Sequence, residues 1–512
     1  MASMRKYWIP ILLVLIVLAA RFIPGPRTID DAYITFRYAR NILAGQGFVF
    51  NPGERILGTT TPFYTLSMVT LAAFTGGTNA PFPWLALIYN TAADSLTALI
   101  LWQIGKHLKW ELAGVAAGLL WAVAPFSVSF AIGGMETSVY VSLLLASVFA
   151  YLHQKRALTT LFAAFAILTR PDALILVGPL ALDRLVRALR LGEKLTLREI
   201  AAFFVPTLAW AVFAAAFFGS PIPHSIQAKL AVYRLDDHAA LIRLIQHYAN
   251  LLHQYNYLGS TGTLLGVLVF PALYIAGALN AWRAEKRLLV LLLYPWLYLL
   301  TFALPNPLIF RWYLTPPLPA YFLLCLVGLQ VVLNKLLRII PGTRQPAWKQ
   351  AVLGLLIVIL PFTSLISAWQ LHPTHGPDRP APEMAWFELE LLYQKAALQI
   401  KPHLRPGQVL AAGDVGMLGF VTDAYILDTV GLNSGQTLGY YPIPAESYVT
   451  NYAIPTRLIL EEQPDWIVIL EVYGRKTFLA DPQFHEAYQL WDSLPTDIYG
   501  SKAMLIYHRT QR

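Results

Sequence analysis

The sequence predicts a polytopic α-helical membrane protein, and three observations carry that prediction. Of the 512 residues, 56% are hydrophobic and only 13% charged, where a soluble domain is about a quarter charged. Mean hydropathy is +0.52. Apolar runs of roughly 20 residues, the helix length that crosses a bilayer, recur along the first three quarters of the chain. Lys and Arg gather in short loops between those runs and read as topology signals. The net charge of +9 therefore argues for orientation in a membrane, not for nucleic acid. A single cysteine, Cys325 in an apolar run, excludes an internal disulfide and a Cys-based zinc site.

The first run, Tyr7 to Ile23, has a basic start and an apolar core. It reads as an uncleaved anchor, because no small-x-small cleavage site precedes the polar loop. Arg5 and Lys6 keep its start in the cytoplasm, which puts the next loop, residues 24–82, outside. Inside that loop Asp31 to Ala44 has helical spacing, with Ile34, Tyr38 and Ile42 on one face. It predicts an amphipathic helix lying at the interface, with Asp30 near the helix N-terminus, where the dipole favours negative charge. Thr61 to Thr75 is apolar but short. Reading it as a second interfacial or re-entrant helix places the basic loops at Lys106–Lys109, Lys155–Arg156, Arg184–Arg198, Arg283–Arg287 and Lys335–Lys349 all in the cytoplasm. The spans are then about 7–23, 83–105, 111–131, 137–153, 157–169, 172–189, 200–218, 261–281, 286–304, 314–338 and 350–370. That is about eleven, amino end inside and carboxyl end outside.

The composition changes near Leu371. Residues 1–370 form the transmembrane domain, and 371–384 form a linker with four prolines from Pro373 to Pro382. Residues 385–512 read as a small extracytoplasmic α/β domain. Strands are expected at 408–414, 425–428, 465–470 and 503–508, with helices at 383–400 and 445–463.

Polar residues that could carry chemistry cluster on the outer face. Asp30 and Asp31 come first; acids at a membrane surface are either solvated or functional. Arg37, Tyr38, Asn41, Glu54 and Thr60 follow in the same loop, a density of hydrogen-bonding groups that suits a polar ligand. Glu136 follows two glycines at a span boundary. It reads equally as a first-turn acid that suits the helix dipole. Arg170 and Asp172 flank Pro171 between two spans, as an ion pair holding a helix hairpin or as ligand contacts. His224 and Lys229 open the largest outer loop of the bundle, and Arg311 and Tyr313 precede a later span; each could bind phosphate or sit at headgroup level. Acids from two loops and bases from three suit a substrate with a phosphate to clamp and a hydroxyl to deprotonate. Two adjacent aspartates allow either a base with an orienting partner or a metal site.

The stretch DDAYITFRYARNILAGQGFVFNPGERILGTTTP resembles the first outer loop of the GT-C superfamily of membrane glycosyltransferases. Within it the likeness is to the mycobacterial terminal β-arabinofuranosyltransferase branch. GGMET, LTRPDA, the proline-rich turn ending in Lys229 and the GDVGMLGF…ILDTVGL run resemble later blocks. The resemblance implies inverting transfer of a sugar, such as arabinofuranose, from a polyprenyl-phosphate donor to a cell-envelope glycan or lipid on the outer face of the plasma membrane. One of Asp30 and Asp31 would be the general base, with Asp30 favoured as the first acid of the block. Arg170, Lys229 and Arg311 would face the donor phosphate. Thr-Thr-Pro-Phe stands where relatives carry a Thr-Ser-Pro-Leu-like ending. A divalent cation (Mg, Mn or Ca) stays open, as does transfer of mannose, aminoarabinose or galacturonic acid, because a shared fold does not fix the substrate. A transporter or lipid flippase would show buried charges mid-span and matching halves; here the charges cluster at one face.

Overall fold

The computed structural model describes residues 7–252, 255–339, 346–371, 378–385 and 387–510. After α1 (Trp8–Phe22), a polar connection carries α2 (Asp30–Leu43) and α3 (Pro62–Ala73). The bundle continues through α4 (Phe82–His107), α5 (Glu111–Val123), α6 (Pro125–Ile132), α7 (Thr137–Leu152), α8 (Arg156–Thr169), α9 (Leu174–Arg190) and α10 (Leu197–Phe218). The long connection after α10 holds two short helices, α11 (His224–Val232) and α12 (Ala239–Ala249). Then come α13 (Tyr255–Ala284), α14 (Leu289–Ala303) and α15 (Leu318–Ile339), and α16 (Pro346–Gly354), which runs through a π-helical turn into α17 (Leu360–Ile366).

Each apolar run expected to span is helical, and the chain is a multi-pass membrane protein. Six helices among the described residues are long and apolar enough to cross a bilayer, or seven if α5 and α6, bent by 45°, form one span. The bend is local chemistry. Pro125 opens α6, and the residue before a proline avoids the helical region; Ala124 accordingly sits at ψ 131°. Helices α1, α7 and α8 have 15, 16 and 14 residues. At about 1.5 Å per residue they fall short of a hydrocarbon core roughly 30 Å thick. The eleven runs are therefore eleven helical segments, of which six or seven reach the length of a full crossing. The short α3, 12 residues, is not among them.

Small residues set how closely the helices approach. Gly277 of α13 and Gly328 of α15 face each other's helix. A Cβ on the first would collide with the Leu324 carbonyl, and one on the second with the Leu273 carbonyl. A buried ion pair ties the first helices together. Arg21 of α1 lies 2.9 Å from Asp94 of α4, both side chains fully buried. Asp94 also accepts from Trp121 Nε1 (3.1 Å) and Ser138 Oγ (3.0 Å), while Arg21 donates to the Ala122 carbonyl and to Ser127.

Beyond the bundle, β1 (Trp369–Gln370) pairs antiparallel with β2 (Ala381–Pro382), so the expected linker is partly an ordered ribbon. The α/β domain follows with α18 (Glu388–Ile400), β3 (Val409–Ala412), α19 (Gly416–Thr422), β4 (Tyr425–Asp428), α20 (Thr456–Glu462), β5 (Trp466–Leu470), β6 (Tyr488–Pro495) and β7 (Ala503–Arg509). The sheet order is β4-β3-β5-β7-β6. The β4, β3 and β5 strands run parallel, and β7 and β6 close the sheet antiparallel. All four expected strands are present. The missed one, β6, is an edge strand carrying Gln489, Asp492, Ser493 and Pro495, polar and proline residues that guard edges and erase the apolar signal. The helix expected over 445–463 shrinks to α20, because Pro455 stands just before it and cannot continue a helix. The one expected from 383 starts at Glu388, since Ala381 and Pro382 are committed to the ribbon.

One correction bears on the site. Helix α2 is not simply laid on an interface; α19 of the C-terminal α/β domain covers it, and Arg37 on it is buried. Arg37, 2% exposed, donates to the Ala424 carbonyl (2.7 Å), and Arg40 donates to the Phe420 carbonyl (2.8 Å) while stacking on the Phe420 ring.

Removing one partner of a buried ion pair leaves an uncompensated charge, at a cost of about 3–5 kcal/mol. Asp94→Ala should therefore lower the melting temperature of the detergent-solubilised protein sharply. The double variant Arg21→Met/Asp94→Leu should recover most of that loss; a double variant no more stable than the single one would contradict the ion-pair account.

Candidate active site

The polar segments converge on one cavity of about 240 Å³. Helix α2 contributes Asp31, and the turn before α3 contributes Gly58 to Thr61. The α6–α7 and α8–α9 turns bring Glu136, Arg170 and Asp172; α11 brings Ser225 and Lys229; Trp312 and Tyr313 close one side and Leu432 of the outer domain another.

Arg170 is the fixed charge of the site. It is 3% exposed and donates to Asp172 through two nitrogens, at 2.9 and 3.0 Å. Glu136 lies 3.5 Å from its other side, and Tyr140 and Tyr313 stack on the guanidinium. Both readings of the pair hold together: it pins the α8–α9 turn, and its members line the cavity. Burial raises the Glu136 carboxyl above the usual range, opposed by Arg170.

Asp31 and Lys229 face the same space. Burial raises the Asp31 carboxyl above its ordinary value, and the Lys229 ammonium opposes that rise. Lys229 sits over the Phe310 ring at 5.0 Å and has no carboxylate within 4 Å among the described residues. One turn earlier on α11, Ser225 is 3% exposed, and its hydroxyl has no hydrogen-bond partner among the described residues. In the sequence this serine carries no signal of its own beside His224.

Asp30 does something else. Its two carboxylate oxygens accept from the backbone N–H groups of Gly416 (2.8 Å) and Met417 (2.7 Å), the first residues of α19. It is 5% exposed and does not line the cavity. A Cβ at Gly416 would collide with the Asp30 carbonyl, so only glycine permits this approach. Burial, then the nearby Asp414, pushes the Asp30 carboxyl well up, and the two N–H donors pull against them. The preference for Asp30 as the acid facing substrate is thus reversed by geometry. Successive helical residues point about 100° apart, and here the first points into the outer domain and the second into the cavity.

Other expected contacts are framework. Tyr38, fully buried, donates to the Ile56 carbonyl (2.9 Å) and accepts from Gly58 N–H (3.0 Å), holding the threonine turn. Asn41 donates to the carbonyls of Val49 and Phe50. Arg37 reaches Asn51, and Asn51 bonds both the N–H and the carbonyl of Ile426, acting as one more strand residue on the β4 edge. Glu54 accepts from Asn51 and from the Tyr425 hydroxyl. His224 gives its backbone N–H to Leu57, and Arg311 is exposed; neither lines the cavity. Thr60, Glu136, Arg170, Asp172, Lys229 and Tyr313 do. Asp428, at the end of β4, accepts from the N–H groups of Val430, Gly431 and Asn433 and so shapes the loop that delivers Leu432.

Two acids of the outer domain come close without having been singled out. Asp414 accepts from the Tyr393 hydroxyl (2.6 Å) and is pushed up to about 6 by burial. Glu390 is pushed up to about 8 by burial, with a smaller push from Asp414. Among the described residues no three His, Cys, Asp or Glu side chains are arranged to hold a metal ion. Glu136 and Asp172 are engaged with Arg170. The donor set does not fit a divalent cation, and no step is routed through one.

A family model described as a domain of unknown function (DUF8728) matches residues 384–507. A terminal β-(1→2)-arabinofuranosyltransferase of Mycobacterium tuberculosis is 28% identical over 218 residues, 39% of this chain and 34% of that protein. The match thus spans about a third of that relative's length. Two solved structures share the architecture. An oligosaccharyltransferase of Archaeoglobus fulgidus aligns over 100% of this chain and 75% of its own, at TM-score 0.58 and 12% identity. ArnT of Cupriavidus metallidurans, bound to undecaprenyl phosphate, aligns over 97% of this chain and 96% of its own, at TM-score 0.52 and 14% identity. The chain thus shares its fold with these two membrane-enzyme structures and is similar in sequence, over part of its length, to the mycobacterial arabinofuranosyltransferase.

Proposed function

We propose that the protein is an inverting glycosyltransferase that moves one sugar from a polyprenyl-phosphate donor to a cell-envelope glycan or lipid on the extracytoplasmic face. The observation that carries this reading is the cavity holding Asp31 and Lys229 together with the Arg170–Asp172–Glu136 cluster. Its volume of about 240 Å³ is below the ~300–1,000 Å³ of drug-sized ligand sites, which suits a single sugar ring. A pentofuranose such as arabinofuranose is the sugar favoured by the similarity to the mycobacterial enzyme. A polyprenyl-phosphate donor agrees with the ligand of the ArnT structure.

In this mechanism Asp31 takes the proton of an acceptor hydroxyl. The hydroxyl oxygen forms a bond to the anomeric carbon on the face opposite the donor phosphate. The anomeric carbon–oxygen bond to phosphate breaks, the electron pair leaves with the phosphate, and the configuration inverts. Raising the pKa of Asp31 makes it a stronger base while it remains ionised. Lys229 stabilises the negative charge that develops on the departing group. Glu136, Asp172 and Thr60 are the groups placed to accept or donate hydrogen bonds to sugar hydroxyls, held in place by Arg170. Asp30 and Arg37 fix the outer domain against α2 and so set where Asp31 stands.

Transfer measured with the reconstituted protein and a panel of polyprenyl-phosphate sugars tests the assignment. Asp31→Asn should lower kcat by about 10²–10⁴-fold, the usual worth of a general base, with the melting temperature unchanged. Asp30→Asn should instead lower the melting temperature, because its site is a domain contact. Wild-type turnover by Asp31→Asn would remove the proposed base.

The pH profile gives a second check. The base works ionised, so turnover should fall as pH drops through the Asp31 pKa, which lies above the ordinary carboxylate range. Lys229 favours the ionised form, so Lys229→Met should move the acid limb to higher pH; a limb that moves lower would contradict the pairing.

A further inference from the structure

We infer that Leu432 of the C-terminal α/β domain determines which donor sugar the cavity accepts. Its side chain forms a fixed wall that admits a pentofuranosyl unit and excludes the larger hexopyranosyl unit. This rests on the reading of the cavity as a glycosyl-transfer site and narrows the donor class.

Among the described residues that line the cavity, Leu432 alone comes from the C-terminal domain. It shares the space with Asp31, Thr60, Glu136 and Asp172. Those groups can satisfy sugar hydroxyls. An isobutyl group cannot, so a hydroxyl forced against it loses water and gains no partner. Leu432 therefore selects by bulk.

Selection by size needs a wall that cannot retreat, as close-packed interiors cannot. The loop that carries Leu432 is braced from several directions. The fully buried Asp428 carboxylate accepts from the N–H groups of Val430 (3.0 Å), Gly431 (3.0 Å) and Asn433 (2.9 Å). Gly431 turns the chain at φ 83°, where a side chain would be strained. On the bundle side, Asn433 Oδ1 lies 3.2 Å from the Tyr38 hydroxyl. The loop presses on Gly58, which also lines the cavity. A Cβ at Gly58 would stand 2.1 Å from Asn433 Oδ1 and 2.7 Å from the Leu432 carbonyl. The Leu432 side chain itself packs on the buried cluster that holds Val430, Tyr441 and Val232 of α11. Backbone and side chain are both held, so the wall stays where the domain puts it. A hexopyranose exceeds a pentofuranose by one CHOH unit. A group of about that size is discriminated by about 10–200-fold in a fitted pocket.

The test uses the purified full chain with polyprenyl-phosphate arabinofuranose and polyprenyl-phosphate mannose as donors. The cell-envelope glycan fraction is the acceptor, and release of polyprenyl phosphate is followed. The ratio of the two kcat/KM values is read beside the melting temperature of each variant. Wild type should favour the arabinofuranosyl donor. Leu432→Ala removes an isopropyl group, more than a CHOH unit, and should raise the mannosyl-to-arabinofuranosyl ratio at least roughly tenfold. Leu432→Phe advances the wall and should lower kcat/KM for the arabinofuranosyl donor. A merely structural leucine would scale both donors together and leave the ratio alone. An unchanged ratio in folded Leu432→Ala would overturn the size selection and leave the proposed function standing. So would a wild type that uses the mannosyl donor as well as the arabinofuranosyl one. Should Leu432→Ala not fold, arabinofuranosyl transfer by Leu432→Phe at the wild-type rate would overturn the inference. Transfer from neither donor by wild type would overturn the inference and the proposed function together.

Discussion

The contact on which the rest of the structure depends is the Asp30 carboxylate on the first two N–H groups of α19. A strand followed by a glycine turn and a helix amino end is the standard anion seat of parallel α/β sheets. Here β3, Gly413 and the start of α19 form that seat, and a carboxylate from the transmembrane part of the chain fills it. The bond joins residues nearly 390 positions apart and welds the C-terminal α/β domain to α2. The next residue along α2 is Asp31. Docking the domain and aiming the proposed base are one mechanical event.

The weld explains why so many polar residues of the first loop are buried and yet stay out of the cavity. Arg37 and Arg40 give their hydrogen bonds to carbonyls of the outer domain, and Asn51 extends the β4 edge. Arg37 through Nη2, Arg40 and Asn51 find partners on the other domain, which offsets the cost of taking them from water. Tyr38 and Asp428 then shape the two loops, Gly58–Thr61 and 429–434, that meet over the cavity.

Much of this was legible in the sequence. The apolar runs located the helices, and the polar block after the first of them supplies part of the lining of the cavity. Glu136, Arg170, Asp172 and Lys229 came from separate loops by the same logic. What was not legible follows from geometry. Asp30 and Asp31 are chemically identical in sequence, and only the position of α19 decides which one is consumed as a cap. Ser225 gave no signal, since a serine in a helical stretch is ordinary until its hydroxyl is found buried and unpaired. Arg37 reads in the sequence as a ligand contact because its partners, Asn51 apart, lie in the last quarter of the chain. The edge strand β6 was hidden by the polar residues that protect it.

The charges of the cavity also bear on the order of events. Three carboxylates and two cations line it, so with all of them ionised its formal charge is −1. A phosphate entering such a space is opposed everywhere except near Lys229, since Arg170 is balanced by two acids. Before reaction Lys229 shares its field with the Asp31 carboxylate. In the proposed mechanism, Asp31 becomes neutral on taking the acceptor proton, and the Lys229 field is left to the phosphate at the moment the phosphate gains charge. Under that proposal, proton abstraction and leaving-group stabilisation draw on one ammonium in sequence. A base placed at Asp30, behind α2 and saturated by two N–H donors, would leave Lys229 unchanged by the proton transfer and forfeit that link.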